Sequence, residues 1–468
     1  MISPQQAPVS AAAGVNFCFQ ILKITPSPIK KNPGYKDGLK SMFQSYRIVK
    51  YFCSFIAQYA LILRLQHYVT IALTGFCKLI FLFLLLLNTH AARGQTDVAD
   101  VFNTVMKKKH ASATTVKNVG SLVLLPTIGY TPSTGFQFGA DVSGTRYFGN
   151  PETTTLSVFD TYGALSTGGM AILQIKHNIY SAANRWNLQG NWNLGKTVML
   201  DHGIGTTGTD QGLFTLRYRF LNLNENAYKE LFAHFYAGVG ISFNYYTKID
   251  NQLQDSAHPE SFNAAYSLKN GYSSDSYFAN GMVLNFQYNT RDQPYRPYKG
   301  IYMNVLLRTN RTWMGSEKNA LQLRTELRKY WSLSAKHPEH VIAYWLWGSY
   351  LLNGSIPYLE LPGTGSDNDQ RTGRGYTIGR FKGPSFMINE VEYRYPLTRN
   401  KLLSGVAFFN AETASDQSGT KLFQHLEPGM GAGLRILFNK RTRTNLCLDY
   451  GFGNYHSKGV FVGLNEVF

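Results

Sequence analysis

From about residue 118 onward, apolar and polar residues alternate with a period of two, and no helical period competes with it. In Leu213–Leu221 (LFTLRYRFL), Phe214, Leu216, Tyr218 and Phe220 share one face, and Thr215, Arg217 and Arg219 the other. In Leu321–Tyr330, Leu321, Leu323 and Leu327 oppose Gln322, Arg324, Glu326 and Arg328. In Phe386–Tyr395, Met387, Val391, Tyr393 and Tyr395 oppose Glu390, Glu392 and Arg394. Such a chain can fold only as sheet with one apolar and one polar face. A soluble sandwich buries the apolar face; a membrane barrel turns it to lipid and encloses the charges in a wet lumen. Alternation alone does not separate the two.

Strand number and loop length do. Sixteen strands can be read, at 119–130, 135–148, 153–164, 168–181, 185–195, 213–221, 231–249, 278–290, 300–312, 318–332, 339–353, 383–397, 402–414, 425–438, 442–453 and 458–468. Most reach the roughly 9–11 residues that cross a bilayer at a tilt. Connections after even-numbered strands are mostly short (149–152, 182–184, 398–401, 439–441). Every long one follows an odd-numbered strand: 196–212, 250–277, 354–383 and 415–424. Short turns at one end and long loops at the other are the outer-membrane pattern, with both termini periplasmic. The expected fold is therefore an all-β transmembrane antiparallel barrel of sixteen strands over residues 118–468, in the outer membrane of a Gram-negative cell.

Composition agrees. Tyr (30), Phe (30) and Gly (43) are abundant and charged residues make up only 16%, as aromatic girdles and tight turns require. A mean hydropathy of −0.20 excludes a bundle of membrane helices. The formal charge of +18 is concentrated at the start: residues 1–94 hold ten Lys or Arg and one Asp, leaving 36 basic and 27 acidic residues, or +9. The later cations alternate along strands and form no basic run interleaved with aromatics, so no nucleic-acid partner is expected. Only Cys447 follows residue 94, which rules out an intrachain disulfide or a cysteine metal site after processing. The nine later histidines are scattered. The loop glycines of 202–205 and 363–366 form neither a nucleophile elbow nor a phosphate loop. Neither catalysis nor a cofactor is expected, and Asp367 and Asp369 read as a solvated loop better than as a metal site.

Leu79–Leu87 is an unbroken apolar run, preceded by Lys78 and followed by the small residues Ala92 and Gly94. That is the layout of a secretory signal cleaved after Gly94. A signal starts close to its charged segment, so the upstream residues read as an over-called translation start, making 1–94 signal plus extension. Residues 95–117 read as a short periplasmic leader in which Val98, Phe102, Val105 and Met106 have near-helical spacing.

Tyr288–Tyr302 (YNTRDQPYRPYKGIY), Gly373–Leu397 (GRGYTIGRFKGPSFMINEVEYRYPL) and Gly429–Arg435 (GMGAGLR) go beyond a generic barrel. In their order and spacing they resemble the Omp85 superfamily barrel, the bacterial surface antigen or BamA/TamA-like family. The resemblance implies that Arg374, Gly375 and Tyr376 form the Arg-Gly-aromatic tip of a sixth extracellular loop that folds back into the lumen. It further implies that this Arg meets inward acidic residues on the next two strands. Glu392 matches the first, but Asn410 stands where the second acid is expected, which implies a weaker latch. The ending Gly459–Phe468 resembles the sorting signal read by the outer-membrane assembly machinery. Phe461, Gly463 and Phe468 match it, while Glu466 replaces an apolar residue.

The implied function is insertion or translocation of polypeptides or lipids at the outer membrane, through a weak seam between first and last strands. Pro126, which cannot donate to a ladder, would weaken that seam. The implied partners are outer-membrane lipids, the assembly machinery and client polypeptides. Members devoted to this work usually carry POTRA modules, for which 95–117 leaves no room. The alternatives are a passive channel or structural barrel, or a surface adhesin displaying the long loops. Mass spectrometry of the protein from cells should find Gln95 as the mature N-terminus and no peptide from residues 1–60; such peptides would refute the start-site reading.

Overall fold

The computed structural model describes residues 95–98, 100, 121–131, 134–206, 214–253, 261–417, 419–440 and 443–468. The expected signal, its cleavage point and most of the leader lie outside them. Sixteen antiparallel strands form the wall: β1 (Ser121–Thr131), β2 (Gly135–Arg146), β3 (Ser157–Ser166), β4 (Ala171–Tyr180), β5 (Trp186–Asp201), β6 (Phe214–Phe232), β7 (Phe235–Leu253), β8 (Gly281–Asn289), β9 (Gly300–Asn310), β10 (Ala320–Ser332), β11 (Val341–Gly354), β12 (Ser385–Pro396), β13 (Leu403–Ala414), β14 (Glu427–Asn439), β15 (Thr444–Gly453) and β16 (Lys458–Leu464). A two-residue stub, Tyr277–Phe278, adds a rung to β7. Each strand ladders to the next in sequence, from β1 with β2 to β15 with β16. Among the described residues no ladder joins β1 to β16, so the barrel is nearly closed, with one seam. Among the described residues no helix is long and apolar enough to cross a membrane.

Most of the wall alternates as the sequence predicts. On β14 and β15, Met430, Leu434, Leu448, Tyr450 and Phe452 are exposed outward, while Arg435, Asn445, Cys447 and Asp449 are buried inward. β12 turns Glu390, Glu392 and Arg394 inward and leaves Val391 and Tyr393 exposed.

β6 departs from this. Phe214 and Leu216 are buried, whereas Arg217 and Arg219 are exposed on the outer face. The apolar face of 213–221 thus points inward, opposite to the expectation for a lipid-crossing strand. The reason is length. β6 runs well past the predicted residue 221, and its crossing part is the lower half, where Asn222, Asn224 and Asn226 continue the inner face. Above that, Leu216, Tyr246, Ile249, Tyr266, Tyr277, Ile356 and Tyr358 form an apolar cluster inside the barrel mouth. Part of it is supplied by α1 (Phe262–Asn270), capped by Ser261 accepting from Ala264 N at 3.1 Å and closed by Gly271 at φ 65. Tyr266 of this helix donates to Ile356 O at 2.9 Å.

The second departure is the C-terminus. β16 stops at Leu464 and does not reach Phe468. Residues 465–468 turn inward, burying Glu466, Val467 and Phe468. At the short-turn end, Asp97 and Asp100 exchange backbone-to-carboxylate hydrogen bonds at 2.9 and 3.1 Å, a reciprocal capping pattern. Lys440 binds Asp100 at 2.7 Å and Thr96 N donates to Asn400 O at 3.0 Å. Both ends of the described chain therefore lie with the short turns.

If the outer face of β6 passes from lipid into water, nitroxides at two positions on it should differ. A label at Leu223 should be relaxed mainly by oxygen, and one at Arg217 mainly by a water-soluble nickel chelate. Equal oxygen relaxation at both would contradict the assigned height.

Candidate functional site

The connection 355–384, the sixth at the long-loop end, descends into the lumen instead of standing above it. Two anchors hold it. At its upper part, Tyr358 donates to Asp201 at 2.7 Å and Lys382 binds the same carboxylate at 2.7 Å. Glu360 pairs with Arg308 at 2.7 Å and accepts from Asn244 and Tyr246, each at 2.8 Å. His202 lies beside Arg380; burial, with Arg380 and Lys382 nearby, pushes it down to about 3. It is therefore neutral throughout the physiological range and supplies no pH switch. Asp367 does not stand free in the loop. It accepts from Thr372 N at 2.7 Å, Arg371 N at 2.8 Å and Asp369 N at 3.1 Å, while Asp369 binds Lys176 of β4 at 2.7 Å. These carboxylates shape and tether the loop.

The lower anchor is the Arg374-Gly375-Tyr376 tip. Arg374 is buried and binds Glu390 and Glu392 of β12 and Asp449 of β15 at 2.6 Å. Its guanidinium carbon lies 3.7 Å from the centre of the Phe408 ring. A planar guanidinium can serve several carboxylates at once, as an ammonium cannot. Glu392 also takes Arg394 at 2.6 Å. Asp449 also takes Arg435 of β14, and Arg435 binds Glu466 of the C-terminal tail at 2.7 Å. Arg296, in the turn between β8 and β9, reaches Glu466 at 3.5 Å and Ser404 at 2.9 Å. Four arginines and four acidic side chains thus form one continuous network.

Glycines make room for the tip. A side chain at Gly451 would press on Gly375 N at 2.8 Å, and one at Gly453 would enter the Tyr376 ring at 2.3 Å. Gly375 itself, at φ 112, lies against the β15 backbone at Phe452. Tyr376 donates to Pro428 O at 2.6 Å and accepts from Asn454 N at 3.0 Å.

Asn410 is in the site, in a different role from the missing acid. Its Nδ2 donates to the main-chain oxygen of Arg374 at 2.9 Å and to Glu390 at 3.2 Å. The charge it lacks is supplied by Asp449, two strands further on and absent from the sequence reading. Phe461 and Gly463 lie on β16. Phe468 stacks on Trp345 at 5.1 Å, and its main-chain oxygen accepts from Arg394 at 2.9 Å. Glu466, the departure from the sorting pattern, is a hub of the lumen network. Arg371, three residues before the tip, donates to Leu464 O at 2.7 Å and Glu466 O at 2.8 Å. Loop six is thereby tied to the end of β16.

The family model described as the Omp85 superfamily domain matches residues 135–460. The chain belongs to the Omp85 superfamily. Among solved structures, this Omp85 barrel is similar to CdiB from Escherichia coli, at 10% identity and TM-score 0.50, over 75% of this chain and 63% of that one. BamA from Haemophilus ducreyi lacking POTRA domains 1–3 aligns at 13% identity and TM-score 0.49, over 74% and 69%. CdiB from Acinetobacter baumannii aligns at 12% and 0.45, over 75% and 60%. The chain thus spans less than two thirds of either CdiB. A search of curated protein sequences finds no significant match.

Asn410→Asp should not tighten the latch. It would set a carboxylate against the Arg374 carbonyl and Glu390, costing roughly 1–3 kcal/mol. Arg374→Ala should cost about 3–5 kcal/mol by stranding buried carboxylates. Urea unfolding in detergent would measure both, and a stabilised Asn410→Asp barrel would refute the assignment.

Proposed function

We propose that this protein is an outer-membrane barrel that assists insertion or translocation of polypeptides or lipids, acting as a template and not as an enzyme. The observation that carries the reading is the seam. β1 is laddered along its whole length to β2, and β16 to β15, yet their facing edges share no ladder among the described residues. An unpaired edge is a ready template for an incoming strand. Leu122, Leu124 and Ile128 are exposed on the outer face of β1, so a strand added there would continue an apolar wall. Pro126 stands midway along this strand, opposite Ala140 of β2, a position tolerated because an edge strand has one unpaired side.

Family membership supports the same reading, and the long-loop end is then extracellular. The tie from Arg371 to the end of β16 gives loop six a hold on one side of the seam, so loop position and seam opening are linked. The charge network fills the lumen beside that tie, which favours a seam over the pore axis as the working part.

Depletion of the protein followed by quantitative outer-membrane proteomics should lower other barrels or one defined client. A disulfide engineered between β1 and β16 should reproduce that loss, with restoration by reductant. An unchanged proteome, together with conductance that rises sharply in Arg374→Ala, would instead identify a channel plugged by loop six.

A further inference from the structure

The outward arginines of β6 have no role in the lumen network or at the seam. They stand in a particular setting. Lys196 of β5 is directly opposite Arg219 of β6, and Val198 is opposite Arg217. Lys196, Arg217 and Arg219 are all exposed. Lys248, exposed at the bulge where β7 faces this part of β6, adds a fourth cation. The acidic residue nearest in register is Asp250, paired with Arg217.

Immediately beside and below this cluster the outer wall has a shallow, open depression. A groove of roughly 510 Å³ is lined by Phe138, Gly163, Leu165, Ala171, Leu173 and Leu194, among others. Ala171 is the register partner of Lys196, and Leu173 of Leu194. The groove therefore begins at the level of the cations and runs toward the short-turn end. Small residues form its floor and long apolar ones its banks. Further down the same face are Leu188 and, near the turn, Trp186, with Lys229 at 5.8 Å from the Trp186 ring. That is an aromatic and basic boundary of the kind found at a membrane interface. The cations thus crown the lipid-facing band at the long-loop end.

We propose that this surface is a binding site for a phosphorylated membrane lipid of the outer leaflet, with one acyl chain in the groove and the phosphate on Lys196 and Arg219. The inference rests on the outer-membrane orientation given above. Charge complementarity identifies the headgroup: cations at a lipid surface attract anionic lipid, whereas a neutral zwitterion gains little. Arginine also matches phosphate oxygens bidentately. The groove accounts for the chain, because small floor residues leave a recess into which one lipid tail packs by close van der Waals contact.

Gly163 provides the decisive variant. A Cβ there meets nothing closer than Leu173 Cδ1 at 3.9 Å, so Gly163→Phe fills the groove without disturbing the wall. The test uses the full barrel in nanodiscs containing equal dioleoyl phosphatidic acid and dioleoyl phosphatidylcholine, with lipid retention read by native mass spectrometry. Heat-modifiable electrophoretic mobility reports whether each variant is a folded barrel. The wild type should retain phosphatidic acid preferentially. Lys196→Gln with Arg219→Gln should lower that preference about 25-fold, roughly fivefold per cation. Gly163→Phe should shorten retention with the charges intact. A folded, inserted barrel with no preference for phosphatidic acid would overturn the proposal, as would a preference that survives loss of both cations or filling of the groove. A chain that never inserts as a barrel would instead overturn the membrane reading itself.

Discussion

Buried charge is affordable only in company, and the lumen of this barrel is organised around that constraint. Arg374, Arg394, Arg435 and Arg296 are all buried, and so are Glu390, Glu392, Asp449 and Glu466. Desolvating any one alone would cost several kcal/mol. The partners come from distant places: loop six, β12, β14, β15, the turn between β8 and β9, and the tail. None of these can leave without stranding charge belonging to another. The network therefore sets the depth of loop six, the inward turn of the C-terminus and the position of a turn at the short-turn end together.

Local period and loop length made the wall legible in advance. Each predicted strand has its counterpart, and the two longest loops fall where the alternation of long and short connections put them. β6 was misread because period two says which residues share a face but not which face meets lipid. Phe214 and Leu216 are as apolar as any lipid-facing pair; only a helix and a loop packed inside the mouth make inward their correct direction. Nothing within LFTLRYRFL carries that information.

The site was partly legible. Arg374 and Glu392 lie within one continuous motif, so resemblance alone could bring them together. Asp449 lies 75 residues from Arg374, and their meeting depends on the register of β14 and β15. A local cue existed: Asp449 alternates with Leu446, Leu448 and Tyr450 and so had to face the lumen. Glu466 offered the same cue. A carboxylate at a position expected to be apolar indicated a segment that had left the lipid face, as the tail has.

Two of the ties that hold loop six to the barrel differ in what specifies them. Arg374 needs particular side chains opposite it. Arg371 needs only main-chain oxygens, those of Leu464 and Glu466, which every amino acid supplies. The tie to the last strand is thus written at one end alone. The side chain at 464 can drift without touching it, whereas Glu466 is also held in place by the ion pairs of its own carboxylate. Mutation at 464 can vary the chemistry at the end of β16 while leaving intact the mechanical connection through which the loop holds it.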